Sequence, residues 1–317
     1  MLNRRQLRIK VLQVLYAHYQ SGNDDLYKTK KHLLKSIDQM YDLYLYLLLT
    51  FPELKMRAEK RIEENKKKIL PTEEDLNPNP KFIENRIIKV IENQPTLRSE
   101  AENRKVNWRG DEKQELFRKM FHAIRESETF FEFMNNEENS FEDDKEFMIQ
   151  LFKNEIANFP GLYDFFEEKS VDWLDDIDLM CSMVIKTIKK FKEGEDVENQ
   201  ILPLYKPDDD EKEFIEQLLF ASVKNEKEHL ALIDELTQNW ELERIAKIDV
   251  LLMQMAIAEL QEFKTIPEKV TLNEYIEISK FYSTPKSGVF INGVLDKAIA
   301  RLKKEGKIKK VGRGLIK

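Results

Sequence analysis

The apolar positions of this chain recur with helical spacing along most of its length. From Asn3 to Tyr19, the apolar residues Leu7, Val11, Val14 and Leu15 share one face, because residues three, four or seven apart align on an α-helix. The same spacing predicts further helices over residues 209–223, 227–238, 241–262, 271–281 and 288–304. We find no convincing alternating run of β-branched residues. The pattern therefore predicts an all-α protein.

Prolines and polar runs predict where several helices begin and end. Residues 24–69 are predicted to form two helices, with Pro52 at the start of the second, where a proline is tolerated. Residues 94–111 are predicted to be a connection. Thr271 followed by Glu274 fits a capping box at a helix start.

A weak internal repeat runs through the middle of the chain. Residues 145–151 and Trp173 recur, in part, as residues 212–218 and Trp240, each displaced by 67 positions. Two explanations stay open: a duplicated helical unit, or coincidence, since helical sequence of low complexity easily matches itself.

Composition supports a helical protein and restricts its class. Charged residues make up 35% of the chain, with only 9 Gly and 10 Pro, which favours long solvated helices. A single cysteine, Cys181, excludes an intramolecular disulfide. The longest apolar stretch, 43–51, is far shorter than the ~20 residues of a membrane span. With no apolar signal core near the start, we expect a cytoplasmic protein.

The basic residues concentrate at the two ends of an acidic chain. Residues 1–20 hold four Lys or Arg and no acid, and residues 297–317 hold nine with one Glu, although the whole chain carries −7. Such ends favour binding of a polyanion. The alternative is that they are simply flexible, solvated termini.

Motifs for chemistry are missing from the sequence. The four His do not pair with each other or with Cys181 at a metal-ligand spacing. There is no glycine-rich phosphate or dinucleotide loop and no nucleophile elbow. Glu274 and Glu277 are better explained as a solvated helix face than as a catalytic pair. We therefore expect no enzyme, no cofactor and no metal.

The heptapeptide 290–296 is the most informative stretch. An apolar helical face is interrupted there by Asn292 and Gly293, although a helical Gly costs roughly 1 kcal/mol relative to Ala. Glycine is kept where another backbone or a ligand comes close. With the polar turn 283–288 before it and many lysines after it, this stretch predicts a contact surface.

Several segments together resemble one known family. The start, 4–16, is similar to the start of the bacterial transcription antitermination factors of the NusB family. The similarity continues through 240–244, Ile248-Asp249, 258–260, 266–280 and the heptapeptide. It covers roughly residues 1–20 and 209–302, and typical members are less than half this length.

The resemblance implies a domain organisation and a function. It implies a first helix at 1–20, a helical insertion at 21–208, a core of two small helical bundles at 209–304 and a flexible basic tail at 305–317. It also implies a non-catalytic factor that binds boxA RNA of ribosomal leader transcripts together with NusE, a small-subunit ribosomal protein, in the transcribing RNA polymerase complex.

The resemblance also implies which residues bind. Single-stranded RNA is read with cationic phosphate contacts and with aromatic or polar groups for the bases. The matching RNA-binding positions are Arg4, Arg5, Arg8, Lys286, Phe290 and Asn292. Apart from the resemblance, Tyr16 on the first helix suits either the core or an interface, and it is assigned to the protein partner. The arginines are expected to be exposed, so that their loss would hardly change stability.

Two departures from the family pattern keep an alternative open. Val289 stands where a basic residue is frequent, and Gln254 replaces a frequent Arg. These changes could shift the RNA footprint. In the alternative, the chain is a helical protein-interaction scaffold with vestigial RNA binding, and the insertion is its working part.

Overall fold

A computed structural model of the chain describes residues 1–22, 25–194, 200–205, 210–237 and 244–311. All regular elements within these ranges are helical, which confirms the all-α prediction. The α-helices are α1 Arg4–Ser21, α2 Leu26–Lys66, α3 Glu73–Leu76, α4 Arg86–Glu92, α5 Pro95–Arg104, α6 Asp111–Arg125, α7 Glu128–Asn135, α8 Phe141–Leu151, α9 Pro160–Lys169, α10 Ile177–Lys190, α11 Glu211–Lys224, α12 Glu226–Leu236, α13 Lys247–Glu262, α14 Glu268–Tyr282 and α15 Ser287–Lys304. Among them, none combines the length and the apolar character needed to cross a membrane.

The chain divides into two compact units. The terminal unit consists of Met1–Ile37 and Tyr205–Lys317, and the central unit of Asp38–Leu204. The boundaries of the predicted insertion, 21–208, stay a prediction.

Helix α13 forms the middle of the terminal unit. It packs against α11, α12, α14 and α15, and nearly its whole circumference is buried, including Met253, Met255 and Ile257. A helix that is apolar all round belongs inside a bundle. Helix α1 packs against α11, α13 and α14, so the first residues of the chain complete a bundle built mainly from the last hundred.

Helix α1 begins with a reciprocal cap. The Asn3 side chain accepts a hydrogen bond from the Gln6 backbone N–H at 3.0 Å, and the Gln6 side chain accepts one from the Asn3 N–H at 2.7 Å. This satisfies two of the free donors at the helix start. The cap therefore anchors the start of the helix that carries Arg4, Arg5 and Arg8.

Helix α2 corrects the prediction of two helices between residues 24 and 69. One helix of 41 residues runs through this region, with Pro52 inside it. A proline lacks the N–H that would bond the carbonyl of Leu48, and this costs helix stability. The side chains around it offset that cost, since Leu47, Phe51 and Leu54 are fully buried.

Two further local predictions are wrong. The connection predicted over 94–111 contains α5, whose first residue is Pro95, a favoured first helical position. Thr271 is not a cap, because α14 begins earlier, after Pro267. The Thr271 hydroxyl instead donates to the Glu259 carboxylate at 2.9 Å.

The central unit is built around aromatic side chains. The Trp108 ring lies 5.0 Å from Tyr46 and 5.0 Å from Phe117, centre to centre, and its N–H donates to the Tyr46 carbonyl at 3.0 Å. Trp173 is buried in this unit as well. Its counterpart in the weak repeat, Trp240, lies outside the described residues.

The first part of the basic tail is docked rather than free. Ile308 is buried, and the Val311 N–H donates to the Lys264 carbonyl at 2.9 Å. The Lys310 ammonium donates to the Phe263 carbonyl at 2.9 Å. The expectation of a flexible tail therefore does not hold for residues 305–311, and residues 312–317 lie outside the described part.

Candidate functional site

Arg8 lies inside the terminal unit. Its side chain makes two hydrogen bonds of 2.7 Å to the two carboxylate oxygens of Glu259, and both residues are at most 1% exposed. Burial alone would lower the pKa of Arg8, but the hydrogen bonds to Glu259 raise it. The guanidinium is therefore a fixed cation that joins α1 to α13.

Glu259 has its hydrogen-bonding capacity filled. Besides Arg8, the Thr271 hydroxyl donates to one carboxylate oxygen at 2.9 Å and the Tyr275 hydroxyl to the other at 3.1 Å. Burial, together with the Glu259 charge, raises the pKa of Tyr275 well above its usual value, so the phenol stays protonated. A buried ion pair is tolerated when its remaining lone pairs are satisfied in this way.

Arg5 repeats the arrangement nearer the surface. It makes two hydrogen bonds of 2.8 Å to the Glu274 carboxylate. These hydrogen bonds hold the pKa of Glu274 below its usual value. The Arg5 side chain keeps 39% exposure, so this pair is open to water and salt.

Arg4 completes the group. Its guanidinium lies over the Phe214 ring, 4.2 Å from the ring centre, and pairs with Asp210. Together with Asn3, Arg5 and Pro267, it lines an open cleft of about 570 Å³ at the start of α1.

These contacts correct the prediction for Arg8. It was expected to be exposed and to contact RNA, but its charge is enclosed and matched by Glu259. The sequence does not reveal the carboxylate partners of Arg8 and Arg5, which are 251 and 269 residues away. Arg4 and Arg5 stay candidates, each with an acidic neighbour.

The second candidate set stands on α15. Lys286 is exposed and Phe290 is half-buried, and the Phe290 N–H bonds the Lys286 carbonyl, one helical turn apart. Asn292 follows Phe290 by two residues, about 200° around the helix, and its amide donates to the Asp296 carboxylate at 3.3 Å. The structure thus brings Lys286 and Phe290 to one face and places Asn292 on another.

The turn before α15 is held by a small hydroxyl network. The Ser287 hydroxyl donates to the buried Asp249 carboxylate at 2.7 Å and lies 2.8 Å from the Thr284 hydroxyl. Asp249 belongs to α13, so the turn is tied to the middle of the bundle. This gives Lys286 and Phe290 a rigid base.

No other segment of the described chain packs against Gly293. A Cβ built at this position would have no other atom within 4 Å. Within the described ranges, no other backbone approaches Gly293, which leaves a ligand as the other explanation that the sequence offers. The exposed backbone at Gly293 adjoins Val289, which is 82% exposed, so this face of α15 is open to a binding partner.

Tyr16 borders an apolar groove. It is 37% exposed and lines a cavity of about 470 Å³ together with Tyr19, Leu230, Val250 and Leu251. These residues come from α1, α12 and α13. The groove presents mainly apolar side chains and two phenols, with Glu226 and Lys247 also in its lining, which suits a protein side chain.

Gln254 lies at the back of this groove and not on an RNA-facing surface. Its amide donates to the Tyr19 hydroxyl at 2.9 Å and to the Ser222 carbonyl at 2.8 Å, and the residue is 1% exposed. Burial raises the pKa of Tyr19 to about 12. The replacement of a frequent Arg by Gln254 therefore changes a buried side chain.

The later candidate residues, Lys286, Phe290 and Asn292, lie within a region of the chain that matches one family. The NusB family model matches residues 177–300. Proteins named transcription antitermination protein NusB are 45% identical over 105 residues in Salinibacter ruber, 43% over 105 in Chloroherpeton thalassium and 38% over 94 in Agathobacter rectalis. The chain covers 66%, 50% and 72% of these three proteins, which is 33%, 33% and 30% of its own length.

The chain belongs to the NusB family. It spans between half and two thirds of the first two relatives, and no solved structure matches it. The NusB match begins at 177, inside the segment predicted to be an insertion. It includes α10 as well as α11 to α15, and therefore the face that carries Lys286 and Phe290.

Proposed function

We propose that this NusB-family chain is a transcription antitermination factor that binds boxA-type RNA of ribosomal leader transcripts. In this proposal NusE is its protein partner, and the transcribing RNA polymerase complex is where it acts. The observation that carries the proposal is the family match through α15, supported by relatives named as antitermination proteins. No catalysed reaction is part of it.

The proposed RNA contacts follow from exposure and chemistry. Lys286 supplies a cation for phosphate, and Phe290, one turn later, supplies an aromatic ring on which a base can stack. Arg4 and Arg5 supply partly exposed cations at the mouth of the α1 cleft. Asn292 would read a base only after releasing Asp296.

The proposed partner contact is the Tyr16 groove. Its apolar lining and half-exposed phenol resemble the anchor pockets of protein interfaces. NusE is assigned to this groove through Tyr16.

Fluorescence anisotropy tests the proposal directly. A boxA-containing RNA and a scrambled RNA of the same composition are titrated with the full chain, with and without NusE, over a range of salt concentrations. We expect a preference for boxA that NusE strengthens. Equal and steeply salt-dependent binding of both RNAs would instead mean that basic residues act without reading sequence, and the scaffold alternative would replace the proposal.

Variants assign the preference to α15. Lys286→Gln with Phe290→Ala is expected to abolish the boxA preference, whereas Lys186→Gln on α10, an exposed lysine in the central unit, keeps it. Circular dichroism of each variant checks that the fold is intact, since Phe290 is half-buried. A preserved boxA preference in the double variant would remove Lys286 and Phe290 from the RNA site.

A further inference from the structure

The central unit contains an open cleft that the proposed boxA contacts do not use. Its volume is about 610 Å³, within the range of ~300–1,000 Å³ usual for ligand pockets. The second half of α2, the segment after α3, and the helices α6 and α7 contribute its walls.

Two arginines line this cleft, and neither forms an ion pair with a carboxylate of the described residues. Arg61 comes from α2 and Arg125 from the last turn of α6. Both guanidinium groups line the same cleft. Partial burial lowers the pKa of Arg125, the charge of Arg61 lowers it further, and the charge of Glu126 acts in the opposite direction. The acids of the lining are Asp75, held by Lys68 at 2.9 Å, and Glu74.

An aromatic ring stands at the cleft without a stacking partner in the described structure. Phe131 is 66% exposed. Its neighbour Phe130 packs edge-on against Phe82 at 5.5 Å between ring centres, so Phe131 projects from a fixed base. An exposed phenylalanine face is a usual platform for a nucleic-acid base.

Free amide groups complete the lining. The side chains of Asn65 and Asn77 face the cleft, and neither makes a side-chain hydrogen bond within the described part of the chain. An amide offers both a donor and an acceptor, which suits the edge of a base. Cations, a free ring and free amides are the groups that bind phosphate, base face and base edge.

We propose that this cleft binds one nucleotide of single-stranded RNA, with its phosphate between Arg61 and Arg125 and its base on Phe131. The choice of RNA over a free nucleotide rests on the proposed function. A phosphate removes the repulsion between the two guanidinium groups and accepts charge-assisted hydrogen bonds from both. The central unit thereby adds an RNA contact of its own.

The test uses the full chain and three probes. They are an octanucleotide of uridines that carries one 4-thiouridine, adenosine monophosphate, and inorganic phosphate. Arg61→Gln with Arg125→Gln removes the proposed phosphate contact, and Phe131→Ala removes the platform. Arg98→Gln is the matched control, since Arg98 is an exposed arginine of α5 in the same unit.

The expected result is localised crosslinking and a loss of affinity. Irradiation should attach the octanucleotide to the tryptic peptide 126–145, which contains Phe131. The double arginine variant should bind the octanucleotide about tenfold or more weakly, with a salt slope reduced by about 0.7, the value for one lost phosphate contact. Phe131→Ala should weaken it as well, and Arg98→Gln should behave as the unchanged protein.

Three results would overturn the proposal. The first is octanucleotide binding that the arginine and Phe131 variants leave unchanged. The second is binding of inorganic phosphate as tight as that of either nucleotide probe. The third is binding of adenosine monophosphate without the octanucleotide, which assigns the cleft to a free nucleotide instead.

The outcome is independent of the boxA test. The octanucleotide contains no boxA sequence and NusE is absent, so failure of boxA recognition leaves crosslinking at 126–145 unaffected. Conversely, a cleft that binds no nucleotide leaves the Lys286 and Phe290 variants to decide the boxA contact.

Discussion

Arg8 of the terminal unit and Arg61 of the central unit carry the same guanidinium in opposite surroundings. Arg8 is enclosed and paired with a carboxylate that has every oxygen occupied. Arg61 faces an open cleft beside a second arginine, with no acidic partner in the described structure. Arg8, which belongs to the basic start of the sequence, therefore contributes to stability. Arg61 and Arg125, which belong to no motif, are the arginines that stay open to a ligand.

Removing Arg8 should have the largest effect. Arg8→Ala leaves the Glu259 charge buried without its cation, so we expect the free energy of unfolding to fall by about 3–5 kcal/mol. Urea denaturation followed by circular dichroism measures it. Arg98→Ala serves as the exposed control and should stay within ~0.5 kcal/mol. A loss of less than about 1 kcal/mol for Arg8→Ala would mean that water reaches Glu259.

Replacing both partners sharpens the comparison. Arg8→Met with Glu259→Met removes the pair without stranding a charge, so stability should recover much of the loss seen in Arg8→Ala. The Thr271 and Tyr275 hydroxyls lose their acceptor and limit the recovery. A double variant as unstable as Arg8→Ala would show that packing of the Arg8 chain, and not its charge, is what the bundle needs.

Arg5 should matter less, because its pair with Glu274 is partly exposed. Arg5→Ala is expected to lower the free energy of unfolding by about 0.2–1 kcal/mol, and this loss should shrink in high salt. A double-mutant cycle with Glu274→Gln isolates the coupling. A coupling free energy as large as that between Arg8 and Glu259 would contradict the expected difference between the exposed and the buried pair.

The pH dependence of stability should depend on the same pair, Arg5 and Glu274. The pKa of Glu274 is lowered in the fold by its hydrogen bonds with Arg5, so its contribution is present above its unfolded pKa, ordinarily 4.5, and is lost as the pH falls through the folded value. Glu274→Gln should therefore lose less stability than the unchanged protein between pH 7 and pH 3. Urea midpoints at both pH values give the difference, and parallel losses would contradict it.

The smallest effect on stability is expected in the cleft. Arg61→Gln with Arg125→Gln removes two cations that repel each other, so the melting temperature should stay the same or rise slightly, with a change within about 0.5 kcal/mol. Differential scanning calorimetry at low salt is the sensitive measurement. A clear destabilisation would show that both arginines have structural partners, as Arg8 does.

The sequence predicts elements better than it predicts partners. Helix α1 and the helices from α11 onward follow from apolar spacing, which a buried bundle imposes directly on sequence. Pro52 led to the wrong prediction of two helices, because the lost hydrogen bond can be read from the sequence, whereas the packing that offsets it involves residues far away in the chain. Arg8 misleads in the same way, since only folding brings Glu259 to it across 251 residues.

The candidate sites show the same limit. Lys286 and Phe290 are close in sequence, so a heptapeptide and its preceding turn were enough to suggest them. The cleft of the central unit draws its residues from four separated segments, none of which has a motif. Only the fold brings Arg61, Arg125 and Phe131 together.

The ion pair between Arg8 and Glu259 can form only late in synthesis of the chain. A ribosome adding ~5–20 residues per second needs about 10–50 s to travel the 251 residues between them. During that time α1 has left the ribosome without the carboxylate that holds it, while Asp38–Leu204 already has its complete set of helices. Chains stalled before Glu259 should be cut by protease within α1, and the chain released from the ribosome should resist.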